Sequence, residues 1–287
     1  FQSQKQSMNL ILAKKPPPFL YPVSDMVQGN QLPGFFYTTP MLNCLYNCDY
    51  CFLQGMYPSG NIVIFVNQND LREAIIKQIT KNKNLDFLTT ISVSYNTDLL
   101  AMEHLIPLTK SWIEFASRKK NLNIEIRTKS SNFKMIGTLN PNENVILSWT
   151  VSPEEICKSY EHLAAPISKR VKAIQSALDN GWKVRLCIDP IMKIDNWENI
   201  YTDFLSFLFQ NVDGKKIFDL TLGTFRMNKD YFNRIRKRNP KSDIYFSEFS
   251  VEHNTIALPH KTRKYMIEKL KKELCKYIDS EKILIWE

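Results

Sequence analysis

From residue 35 onward, short runs rich in β-branched and aromatic residues alternate with longer segments in which apolar residues recur every three or four positions. The short runs are FFYTTPML (35–42), LTTISVSY (88–95), NIEIRT (123–128), NVILSWTV (144–151), KVRLCID (183–189) and IFDLTLGTF (217–225), and each predicts a strand. Between them, NDLREAIIKQITKN, EHLIPLTKSWIEFASRK, PISKRVKAIQSALDNG and NWENIYTDFLSFLFQN carry helical spacing. An Asn or Asp cap is expected at the start of NDLREA, and Gly181 is expected to stop the helix that ends in LDNG. Repeated strand and helix predict a parallel α/β sheet, because parallel neighbours need crossover connections. The chain has 8 glycines and no Gly-rich phosphate loop after the first strand, which argues against a dinucleotide-binding sheet. The expectation is a partial (β/α)6 barrel of the TIM type, with functional residues at the C-terminal ends of its strands.

The pattern changes on either side of that repeat. Residues 1–34 contain KKPPPF, whose prolines favour an extended strap, and predict a peripheral N-terminal lead-in. Residues 35–226 form the barrel. Residues 227–287 form a C-terminal extension: DIYFSEFSVEHNTIALPH predicts two extended pieces around a turn, followed by a basic amphipathic helix and a last strand, KILIWE.

Composition adds three constraints. A hydrophobic content of 44% over 287 residues supports a large core. The longest apolar runs, NIVIFV and KILIW, are far shorter than the roughly 20 residues needed to span a bilayer, and no signal-peptide pattern opens the sequence. A soluble, cytoplasmic protein with no membrane partner is therefore expected. The net charge of +9 is concentrated in RIRKRNPK (234–241) and HKTRKYMIEKLKKELCK (260–276). That balance suits a phosphate-rich partner, although a solvated helix face produces the same charge.

Of the 6 cysteines, Cys44, Cys48 and Cys51 cluster in CLYNCDYCFLQG, whereas Cys157, Cys187 and Cys275 are scattered. This is not the distributed spacing of a disulfide scaffold, and a tight cluster in a cytosolic chain points to metal. A structural zinc site wants four ligands, usually from two separated pairs, and no second pair exists here. An iron–sulfur cubane held by three thiolates leaves one iron open, and a three-cysteine zinc site is the alternative.

The C-x3-C-x2-C spacing, with Tyr50 just before the last cysteine, resembles the signature of the radical S-adenosylmethionine superfamily. The resemblance implies a 4Fe–4S cluster on Cys44, Cys48 and Cys51, with S-adenosyl-L-methionine chelated by the open iron. It further implies a 5′-deoxyadenosyl radical that abstracts hydrogen from substrate, and an electron donor such as flavodoxin or ferredoxin.

Beyond the cluster, CDYCFLQ, NTDLLAMEHL, RTK and APISKRVKAIQSALDNGWKVRLCIDPIMKIDNWE occur in the order found in the spore photoproduct lyase family, over about residues 36–226. That resemblance implies a lyase acting on a thymine-dimer-type lesion, and hence DNA as a partner. It places Asn96, Thr97 and Asp98 at the methionyl end of the cofactor, Lys129 against its carboxylate, Thr150 facing the ribose and the backbone near Asp189 beside the adenine. Two positions depart from the family. Tyr95 stands where the family has the cysteine that returns a hydrogen atom to the product radical, and Phe52 replaces a tyrosine after the last cluster cysteine, whereas Tyr50 is kept. Tyr95 or Cys187 is the candidate replacement donor. The hairpin that lies near the lesion in the family corresponds here to a segment with Tyr245, Phe246 and Phe249, followed by Lys261, Arg263 and Lys264. The alternatives are a radical enzyme acting on RNA, a nucleotide or a peptide, and a non-catalytic iron–sulfur protein that binds nucleic acid.

Overall fold

The computed structural model describes residues 1–23, 34–82 and 87–286. Six parallel strands lie side by side in chain order: Phe35–Thr38, Thr89–Ser92, Leu122–Thr128, Val145–Thr150, Lys183–Ile191 and Asp219–Thr224. Ile283–Trp286 adds a parallel strand beyond the sixth, and Leu20–Pro22 pairs antiparallel with the first. The first and sixth strands do not pair with each other, so the eight-stranded sheet curls into a half-barrel without closing. This is the expected partial barrel, extended by one strand at each edge.

Both faces of the central strands are covered, which is why Val145–Thr150 and Asp219–Thr224 are buried throughout. The outer face is packed by the helices Gln68–Lys81, Leu108–Ser117, Ile167–Asp179 and Trp197–Asn211. Their apolar positions repeat at helical spacing, as in Trp112, Ile113 and Ala116, or Val171, Ile174 and Ala177, all buried in the main core. Gly181 ends the third of these helices with a φ of +82, a left-handed turn that favours glycine. The first helix is capped at Asn67, ahead of the expected Asn69 or Asp70, and the Asn67 side chain donates to Asp70 at 2.6 Å.

The inner face carries an ionic layer that the pattern of apolar runs conceals. Arg185 donates to both carboxylate oxygens of Asp219 at 2.5 and 2.7 Å and to Glu125 at 3.1 Å. Ser148 donates to the same Glu125 oxygen at 2.9 Å. These four residues come from four barrel strands and share inward parity with Arg127, Thr150, Asp189 and Thr221 nearer the C-terminal ends.

Outside the barrel, the NIVIFV run becomes the strand Ile62–Phe65, sandwiched between Leu10–Ala13 and Met41–Leu42 in a separate three-stranded sheet. The segment expected to be a peripheral lead-in thus supplies one strand to each of two sheets, and the helix Gln2–Gln6 as well; its residues 24–33 fall outside the described ones. In the C-terminal extension, Ser250–Glu252 and Thr255–Ala257 form the expected hairpin, turning at His253 and Asn254, whose φ angles are 45 and 66. Arg226–Asn228 adds a third strand to it. The helix His260–Leu274 buries Met266, Ile267, Leu270 and Leu274. Among the described residues no helix is long and apolar enough to cross a membrane.

Candidate active site

The cysteine loop follows the first barrel strand, as expected, and is fastened from several sides. Asn47–Cys48 pairs antiparallel with Glu161–His162. Between the second and third cysteines, Asp49 takes a hydrogen bond on its carboxylate from Asn239 at 2.8 Å and lies 3.0 Å from the His162 ring. Its backbone carbonyl accepts from the Tyr245 hydroxyl. Lys5, from the N-terminal helix, donates to the Cys44 carbonyl. After the cysteines, the short helix Leu53–Met56 packs so closely on Lys229–Arg238 that a Cβ on Gly55 would sit 2.6 Å from Tyr231 Cα. Arg234 and Arg238 reach back to the carbonyls of Gly55 and Tyr57 at 2.8 and 2.9 Å, capping the end of that helix.

A cavity of about 490 Å³ opens between this loop and the C-terminal ends of the barrel strands. Cys44, Cys48, Cys51, Tyr50, Tyr95, Thr97, Asp98, Lys129, Thr150 and Asp189 all line it. Two expected site residues do not. Asn96 is buried behind the wall and donates to Thr39 at 3.2 Å. Cys187 has the predicted inward parity, yet it is 0% exposed and sits one layer below Asp189, out of the cavity.

The lining residues divide into those already committed to the fold and those left open. Asp98 is committed: its carboxylate accepts from Thr128 Oγ1 at 2.7 Å, the Lys129 N–H at 2.7 Å and the Ala101 N–H at 3.0 Å, tying the end of the second strand to the third. Burial raises its pKa against those bonds. Thr150 Oγ1 accepts from Arg127 at 3.1 Å. The Asp189 carboxylate receives Arg226 at 3.0 Å, and its carbonyl receives Arg127 at 2.9 Å. Tyr50 turns its hydroxyl away from the cavity, to Glu161. By contrast, Thr97 Oγ1 is buried and has no hydrogen-bond partner among the described residues. Lys129 lies with its ammonium 5.1 Å from the Tyr50 ring centre; no carboxylate comes within ion-pair distance of it among the described residues.

Tyr95 packs against Tyr37 with the rings tilted by 33° and their centres 4.2 Å apart, and its ring centre lies 5.5 Å from that of Phe52. Tyr21 stacks on Tyr37 in turn at 5.0 Å. The two positions that depart from the family are therefore in contact with each other. Burial, then the neighbouring tyrosines, raises the Tyr95 pKa, so its phenol stays protonated at neutral pH.

The donor set fits an iron–sulfur cluster. Three thiols line one cavity, and no histidine or further cysteine joins them on its wall. Burial, and after it the Asp98 carboxylate, pushes the free Cys44 thiol up to about 12. Metal binding at such a site must release protons.

Arg127, Arg226, Glu161 and Lys5 were not singled out from sequence. Arg127 stands inside the RTK motif and could have been found there. The others become site residues only through pairings across the fold.

The family model for spore photoproduct lyase matches residues 30–282. The chain belongs to the spore photoproduct lyase family. A curated spore photoproduct lyase from Geobacillus sp. (strain Y412MC61) is 23% identical over 220 residues, which is 75% of this chain and 64% of the relative. The chain thus spans about two thirds of the length of that lyase. Among solved structures, a spore photoproduct lyase mutant with dinucleoside spore photoproduct superposes with a TM-score of 0.81 at 16% identity, covering 97% of this chain and 81% of the other. A double mutant with bound AdoMet and the same dinucleoside gives a TM-score of 0.81 at 16% identity, covering 97% and 82%. These matches establish the lyase fold for this chain.

Proposed function

We propose that this chain is a radical S-adenosylmethionine enzyme acting on a thymine-dimer-type lesion in DNA. The observation that carries this is the convergence of three cysteines and the polar ends of four barrel strands on one cavity, in a member of this family. Cys44, Cys48 and Cys51 would hold a 4Fe–4S cluster. Thr97 Oγ1, which has no hydrogen-bond partner among the described residues, and Lys129, which has no ion-pair partner among them, would hold the polar end of S-adenosyl-L-methionine. When bound, these cofactors supply a 5′-deoxyadenosyl radical that takes a hydrogen atom from substrate.

The chain's own residues do the rest. Asp98 fixes the backbone beside Thr97 and Lys129, and the Arg127–Asp189–Arg226 group braces the far wall. Tyr95 presents a protonated phenol on the wall and is the hydrogen donor we assign to the product radical. The hydrogen it gives up is restored by one electron from a flavodoxin- or ferredoxin-type donor and one proton. Exposed cations of the C-terminal extension, such as Lys261 and Lys264, would meet DNA phosphates.

The test uses anaerobically reconstituted protein reduced with dithionite. Conversion of S-adenosyl-L-methionine to 5′-deoxyadenosine, abolished by Cys44→Ala, is expected, as is conversion of the dimer in irradiated DNA to two thymines, an isomerisation read by chromatography of the digested DNA. Cofactor cleavage stimulated by RNA or a peptide, with irradiated DNA unaltered, would reassign the substrate. Reconstituted protein without an iron–sulfur spectrum would remove the enzyme assignment.

A further inference from the structure

Lys5 is a buried cation without an anion. It is 6% exposed, and its ammonium donates to the Cys44 carbonyl, to the Tyr46 carbonyl at 3.3 Å and to the Met8 sulfur at 3.8 Å. All three acceptors are neutral, and no ion pair among the described residues includes Lys5. An ammonium buried in this way is strongly unfavourable unless a counter-charge arrives. The Lys5 ammonium is fixed on the cysteine loop itself, at the carbonyls of Cys44 and Tyr46, so the counter-charge that loop can bring is thiolate sulfur.

Its placement is built rather than incidental. Gln2 donates to the Gln54 side chain at 2.8 Å and accepts from the Asn47 side chain at 2.9 Å, and Gln4 accepts from the Gly60 N–H at 2.9 Å. The N-terminal helix is thereby pinned to both ends of the cysteine loop, with Lys5 on the side that faces it.

We propose that Lys5 is the fixed counter-charge of the iron–sulfur centre and raises its reduction potential. This rests on the assignment of Cys44, Cys48 and Cys51 as cluster ligands. Reduction adds one electron to the centre, with no bond made or broken in the protein. A nearby positive charge stabilises the more negative, reduced form more than the oxidised one. Lys5 acts through the centre rather than on substrate, and is a positioning residue for charge.

The experiment is a redox titration of the reconstituted wild type, Lys5→Met and Lys5→Arg, followed by the paramagnetic signal of the reduced cluster, with iron content measured on each. Lys5→Met is expected to lower the ratio of reduced to oxidised cluster at a fixed potential about tenfold, or about 59 mV for one electron. Lys5→Arg is expected to keep the wild-type midpoint. If Lys5→Met does not load, Lys5→Gln, which keeps an N–H donor for the Cys44 carbonyl, takes its place. An unchanged midpoint in a loaded neutral variant overturns the proposal. So do equal shifts in the Met and Arg variants, or failure of both neutral variants to load, either of which makes Lys5 a strut. Wild type that binds no cluster defeats the cofactor assignment itself, a result distinct from all of these.

Discussion

The hydroxyl of Tyr50 donates to Glu161, 111 positions further along the chain, and the other oxygen of that carboxylate is held by Arg170. Both members of the ion pair are fully buried, and Arg170 also donates to the carbonyls of Thr150 and Ala165 at 3.1 and 2.7 Å. A tyrosine between two cysteines of the loop is thus oriented by a buried charge pair outside the cavity, beside the strand that pairs with Cys48.

Removing the carboxylate strands Arg170 as a buried charge with no counter-ion. Glu161→Ala is expected to cost about 3–5 kcal/mol in urea unfolding of the apoprotein. Burial opposes the charged form of Glu161, but Arg170 and then Lys129 outweigh it and hold the pKa below the usual 4.5. The stability it contributes is complete above 4.5 and is lost as pH falls through the depressed value. An unfolding series in acid should show that loss in the wild type and not in Glu161→Gln.

Tyr95 and Cys187 separate as hydrogen donors. Tyr95→Phe keeps the ring contacts with Tyr37 and Phe52 but removes the O–H, so cofactor cleavage should continue while the yield of repaired product falls. Cys187→Ala should leave the product distribution and its isotope pattern unchanged, because the thiol does not reach the cavity wall. Its cost should be confined to stability, about 1 kcal/mol by thermal unfolding.

Gly55 marks where two helices meet without room for a side chain. In Gly55→Ala the new Cβ overlaps the Tyr231 backbone at 2.6 Å, where no flexible side-chain tip can yield. A destabilisation of about 1–3 kcal/mol is expected from denaturant midpoints. Reduced cluster uptake should accompany it, since Leu53–Met56 continues directly from Cys51.

The cations of the basic helix do different things. Arg263 is buried, donating to the Leu258 carbonyl at 2.7 Å and to Glu252 at 3.1 Å, whereas Lys261 and Lys264 are exposed. Lys261→Ala with Lys264→Ala should weaken duplex binding and reduce the salt slope by about 0.9 for each phosphate no longer neutralised. Arg263→Met should lower the unfolding midpoint, with the salt slope intact.

What sequence reasoning could reach followed from local pattern. The six barrel strands, their helices and the hairpin announce themselves through periodicity and turn residues. Cys44, Cys48 and Cys51 and the strand-end residues Thr97, Lys129 and Thr150 line one cavity. Side-chain destinations were less legible. Sequence left open whether Tyr245, Phe246 and Phe249 face a base or pack on the barrel; Tyr245 is buried against the Asp49 carbonyl, and of the three only Phe246, at 68%, is exposed as a large apolar side chain. Asn96 and Thr97 are adjacent polar residues, yet only one faces the cavity. The pairing of Glu161 with Tyr50 and the approach of Lys5 depend on chain segments brought together by the sheet, and no local spacing encodes them.

The grips on the loop from Cys44 to Cys51 are scattered along the polypeptide: Lys5 ahead of it, then Glu161 and His162, then Asn239 and Tyr245. During synthesis the upstream grip is available at once, but the last arrives only after residue 245 has left the ribosome. Until then the three thiols belong to a loop held only in part. Maturation of the metal centre is therefore expected to follow completion of the fold, so that a cluster-delivering carrier meets a finished receptacle rather than a nascent chain.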